Sequence, residues 1–327
     1  MLVTIVGGAG AMGRWFARFF KHTGHEVRIV DRSERTPEIA RSLGVDFIKE
    51  DVLALRSASA SVSASASAST SASASVASAK NKISEITDTD VLLVSVPIEI
   101  TCEVIETLGV EMKKGSLLMD LTSVKRKPVE KMRECTAEGV EILGTHPLFG
   151  PTARSIRNQT VIIVEVPERK GRLCSHIEEI FKREGAKIEF MSAEEHDRTM
   201  AVIQGLTHFV LLSYGITLRR LKFNQEISRR YMSPMYEIFM DFVGRILHQD
   251  PQLYASIQMN FDMKEIHDAF ISTASNLASL ISRREREEFE REISEARRHF
   301  GNTEKALNDS DEIIEEKLRR RACEGEC

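Results

Sequence analysis

An apolar run, Val3-Thr4-Ile5-Val6, leads straight into Gly7-Gly8-Ala9-Gly10-Ala11-Met12-Gly13 and then into a stretch with helical apolar spacing. Strand, glycine turn and helix in that order constrain the fold more than any other feature of the chain. Gly8, Gly10 and Gly13 stand at the G-x-G-x-x-G spacing. The first glycine of such a turn permits the tight bend, the second lets the backbone approach a pyrophosphate, and the third lets helix and strand pack closely. Phosphate charge then rests on free amides at the helix start, beside Met12. The spacing alone is a weak signal, since glycine turns also serve purely structural ends. Asp31 strengthens it, because it ends the second strand pattern 18 residues after Gly13, where a carboxylate can bind ribose hydroxyls. The competing reading of Asp31 is a solvated loop acid. A carboxylate there repels a 2′-phosphate, so NAD is expected over NADP, although Arg32 next to it could accommodate that phosphate.

Strand patterns recur at 2–6, 27–30, 45–48, 91–96, 116–121 and 140–143, mostly separated by helical spacing, with two more at 161–166 and 186–191. Such alternation predicts an α/β fold with a Rossmann-type doubly wound parallel sheet over residues 1–192. From residue 193 strand signals vanish, and helices are expected over 194–214, 233–248, 251–259, 263–282 and 285–299. Residues 199–214 are apolar almost all round, which predicts a buried central helix. By architectural analogy, 193–301 form an all-helical dimerisation domain; 302–327 read as a charged tail. Residues 57–79, nearly pure alternating Ser and Ala, fit neither half. Their period of two imitates a strand, but such small side chains bury too little apolar area to offset the ordering entropy. A flexible insertion without a catalytic part is expected there.

Composition excludes several classes. A net charge of −4 argues against nucleic acid as a partner. Five scattered cysteines without a CxxC pair indicate neither a disulfide framework nor a metal site. With no leader pattern and no 18-residue apolar run read in the chain, a cytoplasmic, membrane-free protein is expected.

In open α/β sheets, ligands collect outside the carboxyl ends of the strands. Ser95-Val96-Pro97 closes the fourth strand, placing Val96 and Pro97 beside the cofactor, although Pro97 also suits a helix start. His146, in Gly144-Thr145-His146-Pro147, lies just past a later strand in a Pro-flanked loop. A neutral imidazole there can hold, and then take, the proton of a hydroxyl being oxidised. Ser123 ends the segment 118–123 and could share that hydroxyl, or cap the following helix. Arg245 sits in an apolar run, which calls for an anionic partner. Asp241 at i−4 and a substrate carboxylate both qualify. His208 lies among apolar neighbours as a core histidine would, and His196 begins the same helix.

Seven blocks together resemble the prephenate dehydrogenase family of tyrosine biosynthesis. In order they are Val6–Arg14, Val94-Ser95-Val96-Pro97-Ile98, Asp120-Leu121-Thr122-Ser123-Val124-Lys125, Thr145-His146-Pro147-Leu148-Phe149-Gly150-Pro151, Glu195-His196-Asp197 with Gln204-Gly205-Leu206-Thr207-His208-Phe209, Ser233-Pro234-Met235-Tyr236, and Val243-Gly244-Arg245 continuing to Gln249-Asp250-Pro251-Gln252-Leu253-Tyr254. The resemblance implies NAD-dependent oxidative decarboxylation of prephenate to 4-hydroxyphenylpyruvate by a homodimer with its active site between the two halves. It makes His146 the acceptor for the C4 hydroxyl, assisted by Ser123, and Arg245 the carboxylate anchor. His208, Lys125, Gln249, Tyr254 and His196 would complete the substrate set. The chorismate mutase segment that the family's bifunctional members carry before the dehydrogenase is not expected here, and Glu237 stands where some members carry a basic residue. Arogenate dehydrogenase is the nearest rival. A β-hydroxyacid dehydrogenase would rely on a lysine in the helical half, and a non-catalytic NAD-sensing protein would bind the cofactor without turnover.

Overall fold

The computed structural model describes residues 1–60, 70–228 and 230–324 and divides into two compact units, Met1–Met200 and Ala201–Cys327. In the first, β1 (Leu2–Val6), β2 (Glu26–Asp31), β3 (Asp46–Lys49), β4 (Val91–Val94), β5 (Leu117–Asp120), β6 (Glu141–Pro147), β7 (Thr160–Glu165) and β8 (Lys187–Phe190) form one sheet. Its order is β3-β2-β1-β4-β5-β6-β7-β8. The chain steps outward from β1 to β3, then returns past β1 to β4, so the switch point lies between β1 and β4. Every residue of β4 and β5 is buried. Continuous apolar runs are what a sheet covered on both faces requires.

The expected strands are all present, but the sheet is not wholly parallel. β7 runs antiparallel to β6, pairing Ile162 with His146 and Val161 with Pro147. Residues 148–159 between them contain no helix, and a strand that returns without a crossover must run antiparallel. This pairing also carries β6 past residue 143, so His146 lies inside the strand's last turn of register and not in a following loop.

Aromatic packing of α1 (Ala11–His22) against α7 (Arg172–Arg183) anchors one face of the sheet. Trp15, Phe16, Phe19 and Phe20 cluster with Phe181, with ring centroids 4.9–6.4 Å apart. The β6–β7 connection folds onto this helix: Trp15 Nε1 donates to the Ala153 carbonyl at 2.7 Å, and its ring meets Phe149 at 4.8 Å.

The described ends of the Ser/Ala segment depart from the expected flexible insertion. Residues 57–60 belong to α3 (Val52–Ala60) and 70–79 to α4 (Thr70–Thr87), while 61–69 lie outside the described residues. The two helices form the crossover from β3 to β4 and pack on α5 (Ile98–Gly109). Alanine has the best helix propensity of all residues. The anchors come from the segment's edges and beyond, where Val52, Leu55, Ala79, Ile83 and Ile86 are buried.

The second unit is helical. A π-helical segment, Ala201–Leu206, leads into α9 (Thr207–Arg220), followed by α10 (Gln225–Ser228), α11 (Pro234–His248), α12 (Pro251–Asn260), α13 (Lys264–Arg283), α14 (Arg286–Phe300) and α15 (Thr303–Glu324). Ser233 caps α11, accepting from the Tyr236 amide at 3.2 Å, and Asp250 caps α12, accepting from Gln252 at 2.9 Å. Two expectations fail here. Residues 199–214 are not a buried helix: no residue of α9 is buried, and Val202 and Ile203 are half-exposed. Ala193–Arg220 is moreover long and apolar enough to cross a membrane by length and composition, contrary to the reading that no such run exists. The charged tail, whose docking the sequence left open, is helical over Thr303–Glu324: α15 packs on α11, with Lys317 Nζ 2.6 Å from Asp241 and 3.6 Å from Glu237, and Arg321 also paired with Glu237. Glu237, where some family members carry a base, therefore serves as a counter-ion for α15.

Candidate active site

The carboxyl edge of the sheet collects the expected first-unit residues in sheet order. Asp31 ends β2, the glycine turn follows β1, 95–97 follow β4, Ser123 follows β5, and His146 is next to last in β6. Neighbouring strands lie about 4.8 Å apart, so three steps separate the glycine turn from His146 by about 14 Å.

At the turn, the left-handed residue is Gly7 (φ 83°), not Gly8. Its amide donates to the Val30 carbonyl at 2.8 Å. Gly8 is required by contact, since a Cβ there would stand 2.4 Å from Ile29 Cβ. At Gly13 a Cβ would stand 2.2 Å from the Gly7 carbonyl oxygen, which is the close helix–strand packing expected. Gly10 is exposed and occupies the N-cap of α1 without a side-chain cap, with Met12 partly buried behind it. With no side chain capping them, the first amides of α1 can hold a pyrophosphate. Asp31 accepts from the Ala9 amide (3.0 Å) and the Ser33 amide (3.0 Å). Two oxygens with about four lone-pair sites leave capacity for ribose hydroxyls. Arg32 is exposed and lies 3.6 Å from Asp51. Val96 is partly buried, and exposed Pro97 is the N-cap residue of α5.

The histidines meet. His146 Nδ1 lies 2.9 Å from His196 Nε2, and His196 Nδ1 lies 2.8 Å from Asp197 Oδ1. His196 and Asp197 come from α8 (Ala193–Met200). His146 is 3% exposed and His196 fully buried, so His196 contacts His146 and does not face open space. Burial pushes both imidazoles down, His146 well below its usual range with His196 and Lys125 adding to the effect. Burial alone would raise the Asp197 carboxyl, but bonds from His196 and from the Lys125 and Arg126 amides hold it low.

Those amides, at 2.7 and 3.0 Å from Asp197, begin α6 (Arg126–Cys135). Asp197 therefore supplies the cap, and Ser123, partly buried in the preceding loop, does not. Lys125 also departs from expectation. It is fully buried and its Nζ pairs with Asp120, which also accepts from Thr122. Lys125 thus braces the loop from within. Sequence reasoning missed Asp120 and Asp197 as site residues; the quoted Asp120–Lys125 and Glu195–Asp197 blocks held both.

In the second unit His208 and Tyr254 meet edge to face at 4.9 Å. Burial raises the Tyr254 hydroxyl and the charge of Arg245 opposes it, so these three residues form one neighbourhood. His208 Nδ1 is buried without a hydrogen-bond partner among the described residues, and burial lowers this imidazole. Arg245 is exposed within its unit, not buried as its apolar run suggested, because Val243 and Ile246 take the inward face of α11. Its i−4 candidate, Asp241, pairs with Lys317. Gln249 is the C-cap residue of α11. A separate cavity of about 770 Å³, lined by Arg126, Val129, Arg133, Phe190 and Glu194 among others, includes none of the expected site residues.

His146 and His196 remain neutral in the folded chain at pH values where an unfolded histidine, near pH 6.5, binds a proton. Stability contributed by that difference is present above about pH 6.5 and is lost as pH falls below it. The slope approaches about 1.4 kcal/mol per pH unit for each histidine. Urea unfolding at pH 7 and pH 5 is expected to show the loss, reduced in a His146→Asn/His196→Asn variant; a slope unchanged in that variant would remove these histidines as its source.

The fold and the glycine turn define a Rossmann-type nucleotide-binding protein with a helical second unit. Residues 57–190 match the prephenate dehydrogenase nucleotide-binding domain, and residues 192–295 match the prephenate dehydrogenase dimerization domain. The chain belongs to the prephenate dehydrogenase family. It is 34% identical over 308 residues to a probable arogenate/prephenate dehydrogenase of Methanocaldococcus jannaschii, covering 93% of this chain and 62% of that protein. It is 30% identical over 318 residues to the T-protein of Haemophilus influenzae, covering 96% of this chain and 71% of that protein. Among solved structures, prephenate dehydrogenase from Aquifex aeolicus in complex with hydroxyphenyl propionate and NAD+ shares the fold. Its TM-score is 0.68 at 20% identity, covering 90% of this chain and 96% of that one.

Proposed function

We propose that the protein catalyses NAD-dependent oxidative decarboxylation of prephenate to 4-hydroxyphenylpyruvate in tyrosine biosynthesis. The observation that carries this reading is His146, held at Nδ1 by His196 on the sheet edge that also bears the glycine turn. The bound nicotinamide would accept the C4 hydride. As C4 loses that hydride its hydroxyl acquires carbonyl character and its proton becomes acidic. His146 Nε2 is the acceptor for that proton, with Ser123 from the adjacent loop sharing the hydroxyl. Departure of the C1 carboxylate as CO₂ sends its electron pair through the ring to the C4 oxygen, which takes the proton back from His146 to become the phenol, and aromatisation drives the step. The protein's work is then positioning and handling one proton.

NAD is favoured over NADP by the Asp31 carboxylate at the ribose position, and the relative from Aquifex aeolicus is described with NAD+. Gly8, Gly10, Gly13 and Met12 would seat the pyrophosphate, with Val96 and Pro97 alongside. Arg245, His208, Tyr254 and Gln249 are assigned to the substrate's carboxylate and side chain. Lys125 and His196 support the site from behind. The family's dimerization domain and the half-exposed apolar side chains Ile203, Phe242, Leu247 and Ile271 support a homodimer.

Absorbance at 340 nm with prephenate or arogenate, and NAD or NADP, tests the reading; turnover highest with prephenate and NAD is expected, and no turnover in any combination would sink it. Arg245→Ala is expected to raise KM for prephenate about 10- to 100-fold with kcat changed little, because a charge-assisted bond is worth about 1.5–3 kcal/mol. Steady-state kinetics checks this, and an unchanged KM would remove the anchor.

A further inference from the structure

We infer that Asp197 is a positioning residue that sets the tautomer of His146 through His196, and that by binding the first amides of α6 it holds the Ser123 loop in place beside that histidine. This rests on the proposed role of His146.

The argument follows donors and acceptors along the chain of contacts. An ionised carboxylate only accepts hydrogen bonds. With Asp197 Oδ1 at 2.8 Å, His196 Nδ1 must carry its proton. Neutral His196 then has only a lone pair at Nε2, so the 2.9 Å contact requires His146 Nδ1 to donate. His146 Nε2 is left bare, which is the form that can accept a hydroxyl proton. Reversing any one assignment places two protons or two lone pairs face to face in a buried contact.

The same chain can carry charge away. When His146 Nε2 takes the substrate's proton, the Nδ1 proton can pass to His196 Nε2. The positive charge then rests on His196 beside Asp197. The charged and titratable groups facing the pair are Asp120 on β5, Lys125 before α6, and Asp197 on α8. Lys125 disfavours a cation on His146, and Asp197 favours one on His196. Asp197 also accepts from the Lys125 and Arg126 amides at 2.7 and 3.0 Å, two and three residues after Ser123.

The test compares wild type, Asp197→Asn and His196→Phe by kinetics and by ¹⁵N NMR of the His146 ring. Wild type is expected to show a protonated Nδ1 and a bare Nε2 near neutral pH, and both variants a mixture of tautomers. Each variant is expected to lose about 10- to 100-fold in kcat, with KM for NAD within about twofold. In Asp197→Asn the acid limb of the pH profile should move to lower pH, because a carboxylate that favours the protonated pair is gone. His196→Phe leaves the bonds from Asp197 to α6 in place, so its loss reports the relay even if Asp197→Asn folds poorly. A protonated Nε2 in wild type, or a uniform fall in kcat with no movement of the acid limb, would overturn the inference. The NMR readout needs no turnover, so an inactive wild type would count against the proposed reaction and leave the tautomer result standing.

Discussion

His146→Asn is expected to lower turnover about 10²- to 10⁴-fold while leaving NAD affinity unchanged. Asparagine can still reach toward His196, but it places no basic atom where Nε2 stands. The loss corresponds to about 3–5 kcal/mol of barrier, the scale of removing a positioned general base. Cofactor affinity should survive because the glycine turn lies three strands away, about 14 Å across the sheet. Steady-state kinetics and a fluorescence titration with NAD separate the two quantities. A parallel loss of NAD affinity would assign His146 to folding or to the cofactor, and unchanged turnover would remove it from the chemistry.

Lys125→Met is expected to destabilise the first unit by about 3–5 kcal/mol. Lys125 and Asp120 are both fully buried, and methionine would leave the carboxylate with Thr122 but no counter-charge. The double variant Asp120→Asn/Lys125→Met removes both charges and should recover most of the loss. Urea unfolding of the two singles and the double measures the coupling. Additive single effects would mean that the pair contributes little as a pair. Turnover of Lys125→Met should fall as well, because the braced loop carries Ser123.

The strands β1, β4, β5 and β7 were legible because continuous or near-continuous apolar runs mark buried strands. Their direction was not: a strand covered on both faces shows the same pattern whether it runs parallel or antiparallel. For the Ser/Ala segment, the period of two argued for neither helix nor core, and what decides its ends is Val52, Leu55, Ala79, Ile83 and Ile86. In α15, alternating charges looked like a tail because their partners, Glu237 and Asp241, lie more than 70 residues upstream. The glycine turn and Asp31 were readable from spacing. By contrast, His146 and His196 are 50 residues apart, and no local pattern announces their contact. The family resemblance placed Lys125 in the substrate pocket, and the sequence does not show that Asp120 turns toward it.

The reversal at β7 has an effect on supply routes to the reactive edge. In an all-parallel sheet each strand emerges at that edge, and whatever helix follows heads away from it. Here β7 and β8 descend from it, with Glu189 of β8 level with Ile162 and so with His146. The helix after β8 can therefore climb back, bringing an imidazole and a carboxylate in from the flank. Two directions of approach converge on one ring, which gives it a fixed orientation without using any space in front of it.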